Sequence, residues 1–136
     1  IGFVLGSTHG IGFSYARQNN QSGIGWQVTG IPFMGAGETF LSGAGSLFKT
    51  LNEGKHGRVF LSFGVTTRYY KCGICLDDNG NGEKTYGLVF GPGVGLERLY
   101  AENFAISLEI PVAIHIFSDE SFKILPIPNF ALAYRW

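Results

Sequence analysis

Cys72 and Cys75 stand in a C-x-x-C spacing, a run of Asp77, Asn79 and Asn81 follows at alternate positions, and His9, His56 and His115 are scattered among serines. Each pattern has a known chemistry. A lone C-x-x-C supplies half of a usual zinc site, or a redox pair when a βαβ unit surrounds it. No βαβ pattern is present, so a local disulfide between Cys72 and Cys75, or two idle thiols, is expected ahead of a metal. The stretch Asp77-Asp78-Asn79-Gly80-Asn81-Gly82 matches the first half of a calcium loop, but the bidentate Glu required at position twelve falls on Leu88. A polar loop is the simpler reading, with weak surface Ca²⁺ binding through Asp77, Asn79 and Asn81 as the sharper one. No Gly-x-Ser-x-Gly elbow accompanies the histidines, and Gly91-Pro92-Gly93-Val94-Gly95 lies within an apolar alternation with no helix after it. No catalytic residue and no cofactor can be assigned, and the expectation is a protein that is not an enzyme.

The remaining chemistry is ionic. Glu97, Glu109 and Arg135 each interrupt the small-residue phase of an alternating segment, and Arg68 and His115 do so farther along theirs. Charges enclosed by a fold must pair to offset desolvation. Glu97, Glu109, Arg135 and Arg68 are therefore expected to form one internal ion-pair cluster, rather than a gated proton or ion path.

The elements that would position these groups are strands. From Phe104 to Phe117 one phase is Phe104, Ile106, Leu108, Ile110, Val112, Ile114 and Ile116, and the other is small or polar until Phe117. That is period two, which a helix would scramble around its circumference. Residues 86–100 alternate Leu88, Phe90, Val94 and Leu96 with Gly87, Gly91, Gly93, Gly95 and Glu97, and residues 129–136 alternate Phe130, Leu132, Tyr134 and Trp136 with small or polar partners. Further strands are expected over 1–6, 10–18, 23–33, 40–51 and 58–71, about eight in all, the first two separate or one bent strand. Residues 18–22, 52–57 and 100–103 read as short turns, 32–39 and 73–84 as longer loops, and Ser7–His9 as an unexplained short connection.

The polar phase decides which face looks inward. It is built of Gly, Ala and Ser with few ions, where a solvent-facing surface would carry many Lys, Glu and Asp. Charged residues make up 15% of the chain, aromatics also 15%, and glycines number 21. Glycine on one face leaves room inside a narrow barrel, while a continuous aromatic and aliphatic face suits acyl chains. Aromatics such as Tyr69, Tyr86, Tyr100 and Phe104 fall near strand ends, at headgroup level. The 136 residues are expected to form a single all-β domain, a closed antiparallel up-and-down transmembrane β-barrel. Net charge is zero and no basic run occurs, which argues against nucleic acid as a partner. No charged segment followed by an apolar run stands at Ile1, so a secretory leader is expected to be absent or already removed.

Residues 129–136, with Phe130, Leu132, Tyr134 and Trp136 alternating to an aromatic end, resemble the C-terminal signal of outer-membrane proteins read by the barrel-assembly machinery. Phe is the usual last residue of that signal and Trp a tolerated variant. Gly93-Val94-Gly95-Leu96-Glu97 followed by Ser107-Leu108-Glu109-Ile110-Pro111, and Gly12-Phe13-Ser14-Tyr15, are similar to small eight-stranded barrels of the outer-membrane protein A and opacity-protein type. The resemblance implies the outer membrane of a Gram-negative-type bacterium. Its implied partners are the lipid bilayer, the assembly machinery during biogenesis, and another membrane or surface protein. The role expected is structural or interactive, with a lumen closed to bulk solutes. A lipid-modifying barrel enzyme and a soluble lipocalin-like carrier are the alternatives.

Overall fold

The computed structural model describes residues 1–19, 21–35, 37–76, 82–100, 103–117 and 122–134, with 73–76, 82, 83 and 122 as backbone alone. The strands are β1 (Gly2–Leu5), β2 (Ile11–Gln18), β3 (Ile24–Gly35), β4 (Glu38–Gly54), β5 (Gly57–Leu76), β6 (Gly82–Tyr100), β7 (Phe104–Pro111), β8 (Ala113–Phe117), β9 (Phe122–Leu125) and β10 (Asn129–Tyr134). Every pairing is antiparallel. The ring runs β1–β2–β3–β4–β5–β6–β7–β10 and closes through β10 onto β1, an eight-stranded barrel with no free edge at that level.

Strands β8 and β9 prolong β7 and β10 beyond the closed ring. The expected single strand over 104–117 is interrupted at Val112, where Pro92 and Pro111 stand on adjoining strands without an N–H to give. The line holds there through Val112 N–H to Pro92 O at 2.8 Å, and β8 resumes pairing with β6 at Phe90–Ile114. Strand β9, only four residues long, gave no periodic signal in the sequence. Pro126-Ile127-Pro128 separates it from β10.

β1 and β2 are two strands of one hairpin, in register Gly2–Ser14 to Leu5–Ile11. The segment 32–39, expected as a long loop, is instead strand: β3 and β4 stay paired as far as Gly35–Glu38, with Pro32 accommodated in β3 opposite Leu41. Likewise the expected loop 73–84 shortens, because β5 and β6 reach the pair Leu76–Gly82.

Alternation sorts the wall as its sequence implies. Phe13, Leu47, Leu96, Leu108, Ile110 and Val112 are among the large apolar residues left exposed outside, whereas Ser14, Thr29, Ser46, Ser62, Thr66, Glu109 and His115 are buried inside. Rings pair on the outer face near the strand ends, Tyr15 with Trp26 and Tyr69 with Tyr86. The lower half of the lumen holds Phe48 and Phe60, edge to face at 6.3 Å. Their rings lie where a Cβ on Gly25 or Gly95 would be, so those inward glycines make the space they fill.

Candidate functional site

The connection between β1 and β2 turns into the barrel. Gly6 N–H donates to Gly10 O at 2.9 Å, closing a five-residue turn, and Gly10 has φ +74, a left-handed conformation that glycine takes without strain. Ser7, Thr8 and His9 are 2%, 0% and 6% exposed, values that belong to a core and not to a rim. Thr8 crosses to β5 and sits against Gly64, where any Cβ would strike its carbonyl.

Side chains from four strands hold this plug. Asn129 Oδ1 accepts from Ser7 N–H at 2.6 Å, while its Nδ2 donates to Thr8 Oγ1 at 2.8 Å and to Glu109 Oε1 at 3.1 Å. His9 Nε2 lies 2.6 Å from Glu109 Oε2, and Glu109 itself fills the space that a side chain at Gly93 would need. From β5, Arg68 Nη2 donates to Gly6 O at 2.6 Å, and from β4 Ser42 Oγ accepts from Ile11 N–H at 3.2 Å. An amide bonding both backbone and carboxylate satisfies buried groups that would otherwise each cost about 1–3 kcal/mol.

A second ionic layer lies below. Arg58 grips Glu97 with both ends, Nε to Oε1 at 3.0 Å and Nη2 to Oε2 at 3.1 Å. Its Nη1 also donates to Gln18 Oε1, and the guanidinium lies over the rings of Phe48 (5.0 Å) and Phe60 (5.7 Å). Between the layers is a cavity of about 50 Å³ lined by His9, Gln27, Phe48, Arg58, Glu97 and Glu109 among others. That is room for a few waters and far below the ~300 Å³ of an ordinary ligand site.

The structure therefore does not bring Glu97, Glu109 and Arg68 into one cluster. Glu97 pairs with Arg58, Glu109 with His9 and Asn129, and Arg68 with the plug's carbonyls. Arg135 lies outside the described residues. Cys72 is in a disulfide and 2% exposed; Cys75, the chain's other cysteine, has no described side chain. Asp77, Asn79 and Asn81 lie outside the described residues, and among those described no group of His, Cys, Asp or Glu could hold a metal. Of the terminal signal, Phe130 and Tyr134 are exposed on the outer wall of β10, Leu132 shares their face, and Trp136 lies outside the described residues.

Sequence reasoning missed Ser7, Thr8, His9, Arg58 and Asn129. Arg58 was available by phase, since it shares parity with inward Phe60, Ser62, Gly64 and Thr66. The plug had only the bracket Gly6…Gly10 around three polar residues as its signal.

The fold and lumen define a class: an eight-stranded antiparallel barrel closed by its own first turn. Comparison with known proteins gave no matching family model, no matching curated protein and no matching solved structure.

Proposed function

We propose that this chain is an integral outer-membrane β-barrel, of the outer-membrane protein A and opacity-protein type, with a structural or protein-interaction role and a lumen closed to bulk solutes. The observation that carries the reading is the inverted distribution of polarity. Ions and hydroxyls are buried inside, while Phe13 at 70%, Leu47 at 61% and Leu96 at 62% exposure lie outside. Such a wall in water would be a very large apolar patch; against acyl chains it is a solvent match.

Three further features support it. The outward cations Arg17, Lys49, Lys71, Lys84 and Arg98 sit toward the strand ends, not at mid-height. On β6 the apolar outer face runs from Leu88 to Leu96, about 26 Å along the strand at ~3.3 Å per residue, between rings at Tyr86 and Tyr100. The cavity between the two ionic layers, about 50 Å³, leaves little space there for a carrier's ligand.

The test is membrane integration. Protein refolded with phosphatidylcholine vesicles is expected to float with them and to resist extraction by alkaline carbonate. Protein that stays soluble without lipid or detergent contradicts the reading and favours the soluble carrier.

A further inference from the structure

Inward folding of the first turn leaves an opening in the wall. The last wall pairs of the short hairpin are Leu5–Phe130 on one side and Phe13–Gly30 on the other. Beyond them, among the described residues, β3 continues to Gly35 with β4 as its sole neighbour, and β9 is paired with β8 alone. Two absent strands leave a notch about three strand spacings wide, ~14 Å, and some five residues, ~16 Å, along β3. Its rims are apolar and exposed: Phe33 and Met34 on β3, Ile124, Leu125 and Ile127 opposite. Pro32, Pro126 and Pro128 stand on these rims and have no N–H to leave unpaired in lipid.

Two cations and an imidazole line the lumen behind the notch. Arg68 reaches the plug that forms the notch floor. His115 faces inward, 3% exposed, within electrostatic reach of that guanidinium. Lys123 pairs with His115 across β8–β9 and therefore shares its face. Arg68 Nε, His115 Nε2 and Thr66 Oγ1 are buried without a hydrogen-bond partner. Opposite Arg68 on β6 stands Gly87, with the Phe117 ring in van der Waals reach of where its side chain would be. Neither Arg68 nor Lys123 forms an ion pair among the described residues. Glu97 and Glu109 are engaged elsewhere, and inward Glu38 stands four residues, ~13 Å, beyond Ser42 on β4.

We propose that this notch takes a single-chain amphiphile with an anionic head. The head is held by Arg68, His115 and Lys123, and the tail lies over Phe33, Met34 and Ile124. Donors with no neutralising carboxylate among the described residues select an anion, and an apolar rim open toward the outer wall selects an acyl chain. Carboxylate and phosphate heads satisfy the same donors, so a fatty acid and a lysophosphatidate are both candidates. The route of approach rests on the outer wall facing lipid. Binding measured in detergent does not, so the two ideas fail separately.

Native mass spectrometry of the folded protein in a neutral detergent tests the proposal, with palmitate, palmitoyl-lysophosphatidate and hexadecanol as probes. A one-to-one adduct is expected with an anionic probe and not with hexadecanol. An adduct with palmitate alone identifies the carboxylate as the natural head, and one with lysophosphatidate alone the phosphate. Lys123→Gln, at an exposed position that leaves the plug intact, should weaken binding about tenfold, the worth of one charge-assisted hydrogen bond. Lys84→Gln on the outer face should not. No anionic adduct, an equal hexadecanol adduct, or an unchanged affinity in Lys123→Gln overturns the proposal.

Discussion

His9 Nε2 and Glu109 Oε2 lie 2.6 Å apart inside the barrel, one on a five-residue turn and the other on the β7 wall. The contact ties the plug to the strand that begins the apolar alternation over 104–117. It also sets Glu109 against two separate groups, the imidazole beside Oε2 and the Asn129 amide that donates to Oε1.

Removing that acceptor leaves both partners buried. Glu109→Ala is expected to destabilise the folded barrel by about 3–5 kcal/mol, and His9→Ala by less, because Asn129 then remains bonded. Urea unfolding in detergent micelles checks both. A double-mutant cycle over His9 and Glu109 should show coupling well above zero; additive effects would count against the pairing.

Asn129 holds the plug by its backbone and by a side chain, so Asn129→Ala should loosen it without touching the wall. Ion conductance across a planar bilayer is the measurement. The intact protein is expected to be silent at moderate voltage, with discrete openings in Asn129→Ala. Silence in both would mean that the layer of Arg58, Phe48 and Phe60 closes the lumen unaided.

That lower layer makes its own prediction. Arg58→Ala or Glu97→Ala strands a buried charge and should cost about 3–5 kcal/mol, whereas Arg58→Met combined with Glu97→Leu should come close to neutral. Chemical denaturation of the three variants separates these cases. A double variant as unstable as the singles would show that the pair stabilises the barrel beyond satisfying itself.

The wall was legible in the sequence and the plug was not, for a physical reason. Alternation over 104–117 and 86–100 reports local backbone geometry, and glycines at 91, 93 and 95 mark the inner face because strand periodicity is fixed at two. The direction of the turn at Ser7–His9 depends on Asn129, Glu109 and Arg68, which are 59 to 122 positions away and invisible to any local pattern. Pairing of ions suffers from the same limit. Inward placement of Glu97 and Glu109 follows from phase, but Arg58 becomes a partner through the β5–β6 register and His9 through the inward turn. Pro32 misleads in the opposite sense, reading as a loop although it lies in β3 next to the notch.

Outer-wall charge should be costly in proportion to depth. Leu108→Arg or Val94→Arg, near mid-height, is expected to destabilise the barrel in vesicles by about 2–4 kcal/mol, and Phe104→Arg, at the rim, by about 0–1 kcal/mol. Folding titrations in lipid read the difference. Equal costs at the two depths would contradict a lipid-facing wall.

The most direct test of that wall compares neighbours on opposite faces of β7. Leu108 is 51% exposed outside, while Ser107 lines the internal cavity. Each is replaced by Cys in a chain lacking its own cysteines, labelled with a small fluorophore, and reconstituted with brominated phosphatidylcholine. The account predicts strong quenching at position 108 and little at position 107. Quenching at neither position, or more at 107 than at 108, would contradict a barrel that turns its apolar face to lipid.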